Sequence, residues 1–388
     1  MKFRKFGKLD WKVSALGFGA MRLPVLGDNA SLPHLFNSNV DETQTIQMIR
    51  YAVDNGVNYL DTAYPYHAGK SEVVVGKALK DGYREKIKLA TKMPSWLIKK
   101  DEDFDRYLNE QLGRLQTDYL DFYLLHGLNK ARWQALRDLA VFKWAERKME
   151  EGNFVHLGFS FHDDLNTFKT IVDGYDNWTL SQIQYNFMDT DYQAGTEGLQ
   201  YAAEKGLATV IMEPIRGGQL SKEPPKSVKE IWESAPVKRS PAEWALQWNW
   251  NQPEVSVVLS GMSSMQHVIE NVASAERSEI GSLNDDELTI IKRVSEEYRN
   301  LCPIPCTDCG YCMPCPNDVD IPHAFKQYND ALMFDDTRTS RFRYALWAEK
   351  QADTCIECQE CEEKCPQEIE ISQWLKKAHA WLKPDDKK

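Results

Sequence analysis

Between residues 58 and 259 short apolar runs alternate with amphipathic stretches, and this alternation restricts the chain to parallel sheets with crossover helices. The runs fall at 58–61, 86–92, 121–126, 155–159, 182–185, 208–213 and 255–259. Helical patterns are expected at 41–53, 71–79, 103–115, 131–150, 163–172 and 195–205. Counting the strand that precedes Gly19, after a hairpin-like N-terminal segment, eight strands result, which implies an α/β (β/α)8 TIM barrel. A doubly wound nucleotide-binding sheet is the competitor. Its glycine fingerprint begins at Gly17-Phe18-Gly19, but Arg22 stands where the third glycine belongs, so that reading is set aside.

Three consecutive runs end in chemistry. Asn58-Tyr59-Leu60-Asp61 ends in an acid with Tyr66 on the Pro-containing turn that follows, 86–92 ends in Lys92, and 121–126 ends in His126. The C-terminal ends of parallel strands carry functional loops in such barrels. Singly, each residue reads as a solvated lysine, a rim histidine or a turn cap. Together, at one topological position three times running, they describe a proton-transfer site.

This constellation, Asp61-Thr62-Ala63 with Tyr66, then Lys92 and His126, resembles the catalytic tetrad of the aldo/keto reductases. The resemblance extends over roughly residues 1–300 and includes Phe3-Arg4-Lys5-Phe6-Gly7-Lys8 and Val13-Ser14-Ala15-Leu16-Gly17-Phe18-Gly19-Ala20-Met21-Arg22. It implies hydride transfer between a nicotinamide and a small carbonyl or alcohol, with Tyr66 giving the proton. A free phenol titrates too high for efficient work near neutrality, and Lys92 is expected to lower it, with Asp61 holding Lys92 charged and His126 orienting the carbonyl. Trp96 is a candidate floor for the substrate.

The loops after the last two strands of a barrel commonly hold a ligand's phosphate. Here they are Pro214-Ile215-Arg216-Gly217-Gly218 and Ser260-Gly261-Met262-Ser263-Ser264, small residues leading into a helix near Ser264, which suits an anion. By resemblance, Gly158, Ser160, Gln184 and Asn186 cradle the nicotinamide while Glu270 and Asn271 read the adenine end. Met212 stands where many members stack a tyrosine, and the usual basic residues for the 2'-phosphate align with Gly261 and His267. NADP and NAD therefore both stay open.

All nine cysteines lie beyond residue 300, as Cys302 and two runs: Cys306, Cys309, Cys312, Cys315 and Cys355, Cys358, Cys361, Cys365. The second has bacterial ferredoxin spacing, in which three thiolates hold one [4Fe-4S] cube and the fourth reaches another. The first is one residue short before its last cysteine. By the same logic Cys306, Cys309 and Cys312 share a cluster with Cys365, and Cys355, Cys358 and Cys361 share one with Cys315. Paired zinc sites are the alternative, though their cysteine pairs usually lie further apart. Cys302 is read as a neutral thiol, with a ligand swap as the alternative. The expected division is a barrel over 1–300 and a dicluster ferredoxin-like domain over 301–388.

A net charge of -11 argues against nucleic acid, and no run of about twenty apolar residues suits a membrane span. The N-terminus lacks a signal-peptide core, so a reducing cytoplasm is expected. Nicotinamide moves two electrons and a cluster one. Exchange between the halves calls for a flavin, and no flavin motif is evident. The clusters then relay electrons to a redox partner protein, feed another site, or hold their domain together. A redox-sensing or regulatory nicotinamide-binding subunit is the alternative to an enzyme.

Overall fold

The computed structural model describes residues 1–27, 39–306, 310–346 and 350–383. Backbone contacts divide the chain into two units, Met1–Gly217 with Ala242–Asn284, and Gly218–Pro241 with Asp285–Lys388.

The first unit begins with strands β1 (Phe3–Phe6) and β2 (Leu9–Ser14), an antiparallel pair. Eight parallel strands follow: β3 (Leu16–Gly19), β4 (Tyr59–Asp61), β5 (Lys88–Met93), β6 (Leu120–Leu128), β7 (Phe154–Phe161), β8 (Leu180–Gln184), β9 (Ala208–Met212) and β10 (Val255–Ser260). They close in sequence order, with β10 pairing back to β3.

Because side chains alternate across a strand, one parity of each strand faces the barrel interior. Tyr59, Ala90, Phe122, Leu124, Leu180, Val210 and Val257 fill it. The hairpin plugs one end, with the Phe6 ring 5.0 Å from Phe122 and 5.9 Å from Tyr59. Burying such a ring contributes about 1.5–3 kcal/mol. The same parity carried two residues further gives Asp61 after Tyr59, Lys92 after Ala90, His126 after Leu124 and Gln182 after Leu180. The apolar filling and the polar end are thus one pattern.

One expected helix is two. The apolar spacing Trp133, Leu136, Ala140, Trp144 runs straight through 131–150, yet helices form at Lys130–Asp138 and Val141–Glu150. Ala140 between them sits at φ 55°, with its N–H on the Arg137 carbonyl at 2.9 Å. Helical periodicity does not register a single left-handed residue, so the break is invisible in sequence.

In the second unit, helices at Asp285–Asn300, Ile321–Met333, Thr337–Ala345 and Ile371–Leu382 carry the framework. Val319, Ile321, Phe325, Ile369, Ile371 and Leu375 form its core, against which Cys306, Cys312, Cys315, Cys355, Cys361 and Cys365 pack. Tyr298 packs against Phe334 with ring centres 5.1 Å apart and planes tilted by 41°, and Lys222 pairs with Asp336 at 2.8 Å, so the helix ending at Asn300 and the 218–241 segment belong to this unit. No helix among the described residues is long and apolar enough to cross a membrane.

Candidate active site and cluster cavities

Asp61 and Lys92 meet at the polar end of the barrel interior. Lys92 Nζ lies 2.5 Å from Asp61 Oδ1 and also donates to the Thr62 carbonyl at 2.9 Å and to the Tyr66 hydroxyl at 3.4 Å. Gln182 Nε2 supports the other Asp61 oxygen at 3.3 Å. Burial is the largest effect and opposes charge on Lys92, but Asp61 and Tyr66 together outweigh it and hold the ammonium above its ordinary value. Behind β5, Gln111 donates to the Lys92 carbonyl at 3.0 Å and to the buried Glu72 carboxylate at 2.6 Å, and Glu72 is held in turn by Arg114.

Tyr66 opens a short 3-10 turn, Tyr66–Gly69, in which His67 and Ala68 take positive φ. The turn is anchored by buried His67, whose Nε2 accepts from the Leu23 N–H at 3.1 Å, and by Ser71, whose hydroxyl donates to the Ala20 carbonyl at 2.9 Å. Lys92 was expected to lower the phenol. It does pull downward, but burial is the larger effect and Asp61 adds to it, so Tyr66 stands above its ordinary value. The His126 ring lies 6.0 Å from Tyr66, nearly perpendicular, and 5.1 Å from Trp96. Burial, with Lys92, His162 and Arg132 adding cationic repulsion, holds His126 well below the usual imidazole range, so it is neutral near pH 7. Its Nδ1 is buried without a hydrogen-bond partner.

Beyond Tyr66 and His126, Ser160, Gln184 and Asn186 are buried along the ends of β7 and β8. The Ser160 hydroxyl oxygen accepts from the Gly127 N–H at 2.7 Å. Gln184 and Asn186 each donate to Asp189 Oδ2 at 3.2 Å, and Arg216 Nε reaches the same oxygen at 3.1 Å. Asp189 therefore ties together groups from β8, the following loop and the turn after β9. Met212 ends β9, and Glu213, Arg216, Gly217 and Gly218 all have positive φ. Ser264 caps the helix Met265–Ala275 by accepting from the His267 N–H, and Asn271 on that helix donates to Ser260 Oγ at 2.9 Å. Glu270 is exposed and accepts from Gln266 at 2.7 Å. A Cβ at Gly261 would lie 3.1 Å from Arg22 Cδ, so glycine keeps this turn close to Arg22. The amide and hydroxyl side chains of Ser160, Gln184 and Asn186, with the Gly/Ser turn after β10, suit a dinucleotide in donor type.

In the second unit Cys306, Cys312 and Cys365 line one cavity, with Ile321, Phe325 and Ile369. Cys315, Cys355, Cys358 and Cys361 line another. Each cavity is thus edged by cysteines of both runs, and Cys309 lies outside the described residues. Among the described residues, no three His, Cys, Asp or Glu side chains converge tightly enough for a single metal ion. Burial pushes the Cys361 thiol up to about 11. Cys302 points its thiol at the Tyr298 carbonyl, 3.7 Å away.

A model of the aldo/keto reductase family matches residues 15–296. The chain belongs to this family. A 4Fe-4S dicluster domain model matches residues 305–370 of the same chain. L-galactose dehydrogenase of Arabidopsis thaliana is 27% identical over 328 residues, covering 78% of this chain and 96% of that protein. The holo form of the aldo-keto reductase AKR11C1 from Bacillus halodurans superposes with a TM-score of 0.62 at 30% identity, over 76% of this chain and 96% of that one. A Klebsiella pneumoniae aldo-keto reductase in complex with NADPH, at 23% identity and TM-score 0.59, covers 76% and 95% respectively and shares the fold.

Within this aldo/keto reductase barrel the groups that sequence reading passed over are Gln182, Gln111 and Asp189. Each acts through residues distant in sequence, and only the Asn186-x2-Asp189 spacing offered a local signal.

Proposed function

We propose that the barrel catalyses hydride transfer between a nicotinamide dinucleotide, NADP or NAD, and a small carbonyl or alcohol. The observation that carries this reading is the single contact set of Lys92, which joins Asp61 at 2.5 Å to the Tyr66 hydroxyl at 3.4 Å beside a neutral His126. Ser160, Gln184 and Asn186 would hold the nicotinamide, which when bound would supply or accept the hydride. In the reductive direction Tyr66 gives its hydroxyl proton to the carbonyl oxygen, and the nascent phenolate is met by the Lys92 ammonium. Burial keeps Tyr66 protonated until that moment, so the shift above its ordinary value favours a donor rather than a resting phenolate. His126, neutral, hydrogen-bonds the same oxygen and fixes its direction. Gly217, Gly218 and Gly261 let backbone N–H groups approach the phosphates.

In this reading the reductase sequence runs to about residue 300, its last helix (Asp285–Asn300) packing within the second unit, and two [4Fe-4S] clusters belong to the segment 301–388. Cys306, Cys309, Cys312 and Cys365 hold one; Cys315, Cys355, Cys358 and Cys361 hold the other. They serve electron relay to a redox partner or hold their domain together, and the barrel's proton and hydride steps do not run through them. Thiolate ligation of this kind suits a reducing compartment such as the cytoplasm.

Replacing Tyr66 by Phe tests the proposal. Carbonyl reduction is expected to fall by roughly 10²–10⁴ while nicotinamide binding persists. Unchanged turnover sinks the role assigned to Tyr66, and tight nicotinamide binding without turnover of any aldehyde or ketone by the parent protein favours a regulatory subunit instead.

A further inference from the structure

Arg132 stands beside the tetrad without a part in the hydride step. It lies in the first turn of the helix Lys130–Asp138, which leaves β6 just past His126. Its Nη1 donates to the Gly127 carbonyl at 2.6 Å, and its guanidinium carbon lies 5.6 Å from the centre of the Trp96 ring. Trp96 in turn faces His126 at 5.1 Å. The group is half-buried, and burial alone lowers its affinity for a proton; among the described residues no carboxylate pulls the other way.

Other sheltered arginines of the barrel are compensated. Arg84 pairs with Asp121 at 2.9 Å, Arg114 with Glu72 at 3.2 Å and Arg216 with Asp189 at 3.1 Å. Arg4, without an acid, is surrounded by the carbonyls of Trp250, Gln252, Val255 and Ser278. A guanidinium has five N–H donors, and a partly desolvated one with a single carbonyl acceptor is complementary to an anion. The surroundings reinforce this in a chain whose net charge is -11. Charges acting on His126 come from Lys92, His162 and Arg132, all basic groups, and Arg22 acts on Tyr66. The acids acting nearby are Glu213, through His162, and Asp61, which acts on Tyr66 and is itself paired with Lys92.

Barrel order separates this anion site from the phosphate turns. β6 is the fourth strand and β10 the eighth, so the turn after β10 lies across the barrel mouth from Arg132. Of the reacting groups, His126 ends β6 on Arg132's side, and Tyr66 follows the second strand, midway between β6 and β10.

We propose that Arg132 anchors a carboxylate on the substrate, so that the barrel selects carbonyl compounds bearing an acid group, held with the carbonyl at Tyr66 and His126 and the carboxylate at Arg132. This rests on the hydride-transfer reading above.

The test compares 4-carboxybenzaldehyde with its methyl ester as substrates of the full, cluster-loaded chain, in the parent, Arg132→Met and Arg132→Lys. The parent is expected to favour the acid over the ester in kcat/KM by at least about tenfold, the scale of one charge-assisted contact. Arg132→Met removes most of that ratio, chiefly through KM for the acid, and Arg132→Lys keeps part of it. A ratio unchanged in Arg132→Met, or an equal loss on both compounds, overturns the anchor while leaving hydride transfer intact. Turnover of other aldehydes or ketones but not of the acid overturns the anchor alone, and nicotinamide binding without turnover of any aldehyde or ketone overturns both readings.

Discussion

Lys92→Met isolates the electrostatics on which the site depends. The Lys92 and Asp61 side chains are 1% and 4% exposed and 2.5 Å apart, so the substitution keeps the volume but leaves a buried carboxylate with Gln182 as its side-chain donor. Removing one partner of such a pair costs about 3–5 kcal/mol. For a body of this size that is on the order of 2 °C per kcal/mol, or roughly 6–10 °C in the thermal midpoint. The sign with pH follows from the shifts. In the parent, Lys92 is held above its ordinary value, so its contribution is complete through the neutral range and is lost only at alkaline pH. In the variant, burial pushes Asp61 up with no ammonium to restrain it. The folded state then takes up a proton that the unfolded chain releases, and stability recovers as pH falls. Urea and thermal unfolding of the parent, Lys92→Met, Asp61→Asn and the double variant, at about pH 8 and about pH 5, measure this. The double variant should be less destabilised than the sum of the two single ones. A Lys92→Met protein as stable as the parent, or a deficit identical at both pH values, refutes the argument.

Three further outcomes are expected. Asp189→Asn weakens the hold on Gln184, Asn186 and Arg216 together, and nicotinamide affinity measured by fluorescence titration should fall by about tenfold or more, since each contact to a charged group is worth about 1.5–3 kcal/mol. Because His126 is held well below the usual imidazole range, kcat/KM should show no His126 titration between about pH 6 and 8; a limb near the ordinary histidine value that disappears in His126→Ala contradicts the neutral assignment. Cys365→Ser should lower the iron content of anaerobically purified protein and disturb the cavity of Cys306 and Cys312, whereas Cys302→Ser should leave iron unchanged.

The barrel was legible because four consecutive or nearby strands repeat one instruction: an apolar interior residue, then a polar residue two positions on, as in Tyr59 to Asp61 and Ala90 to Lys92. Local alternation and its polar ends lie within a few residues of each other, so a reader of sequence meets both at once. Asp189 was not legible, since its three partners converge only when β8 and β9 are adjacent. Arg132 was not legible either; an arginine in a first helical turn resembles any solvated one, and its shelter comes from Trp96 on a different loop. The net direction at Tyr66 was missed because a neighbouring ammonium is visible in a chain and the loss of water around a phenol is not.

The exchange of cysteines between the two cavities has a consequence for assembly. Cys365 follows Cys355, Cys358 and Cys361 in sequence but faces Cys306 and Cys312, while Cys315 faces the later run. Neither run by itself encloses a cavity, so filling one draws the other's last cysteine into position. Iron loading should therefore be cooperative, with half-loaded protein scarce, and oxidative loss of one cluster should unravel the neighbouring one.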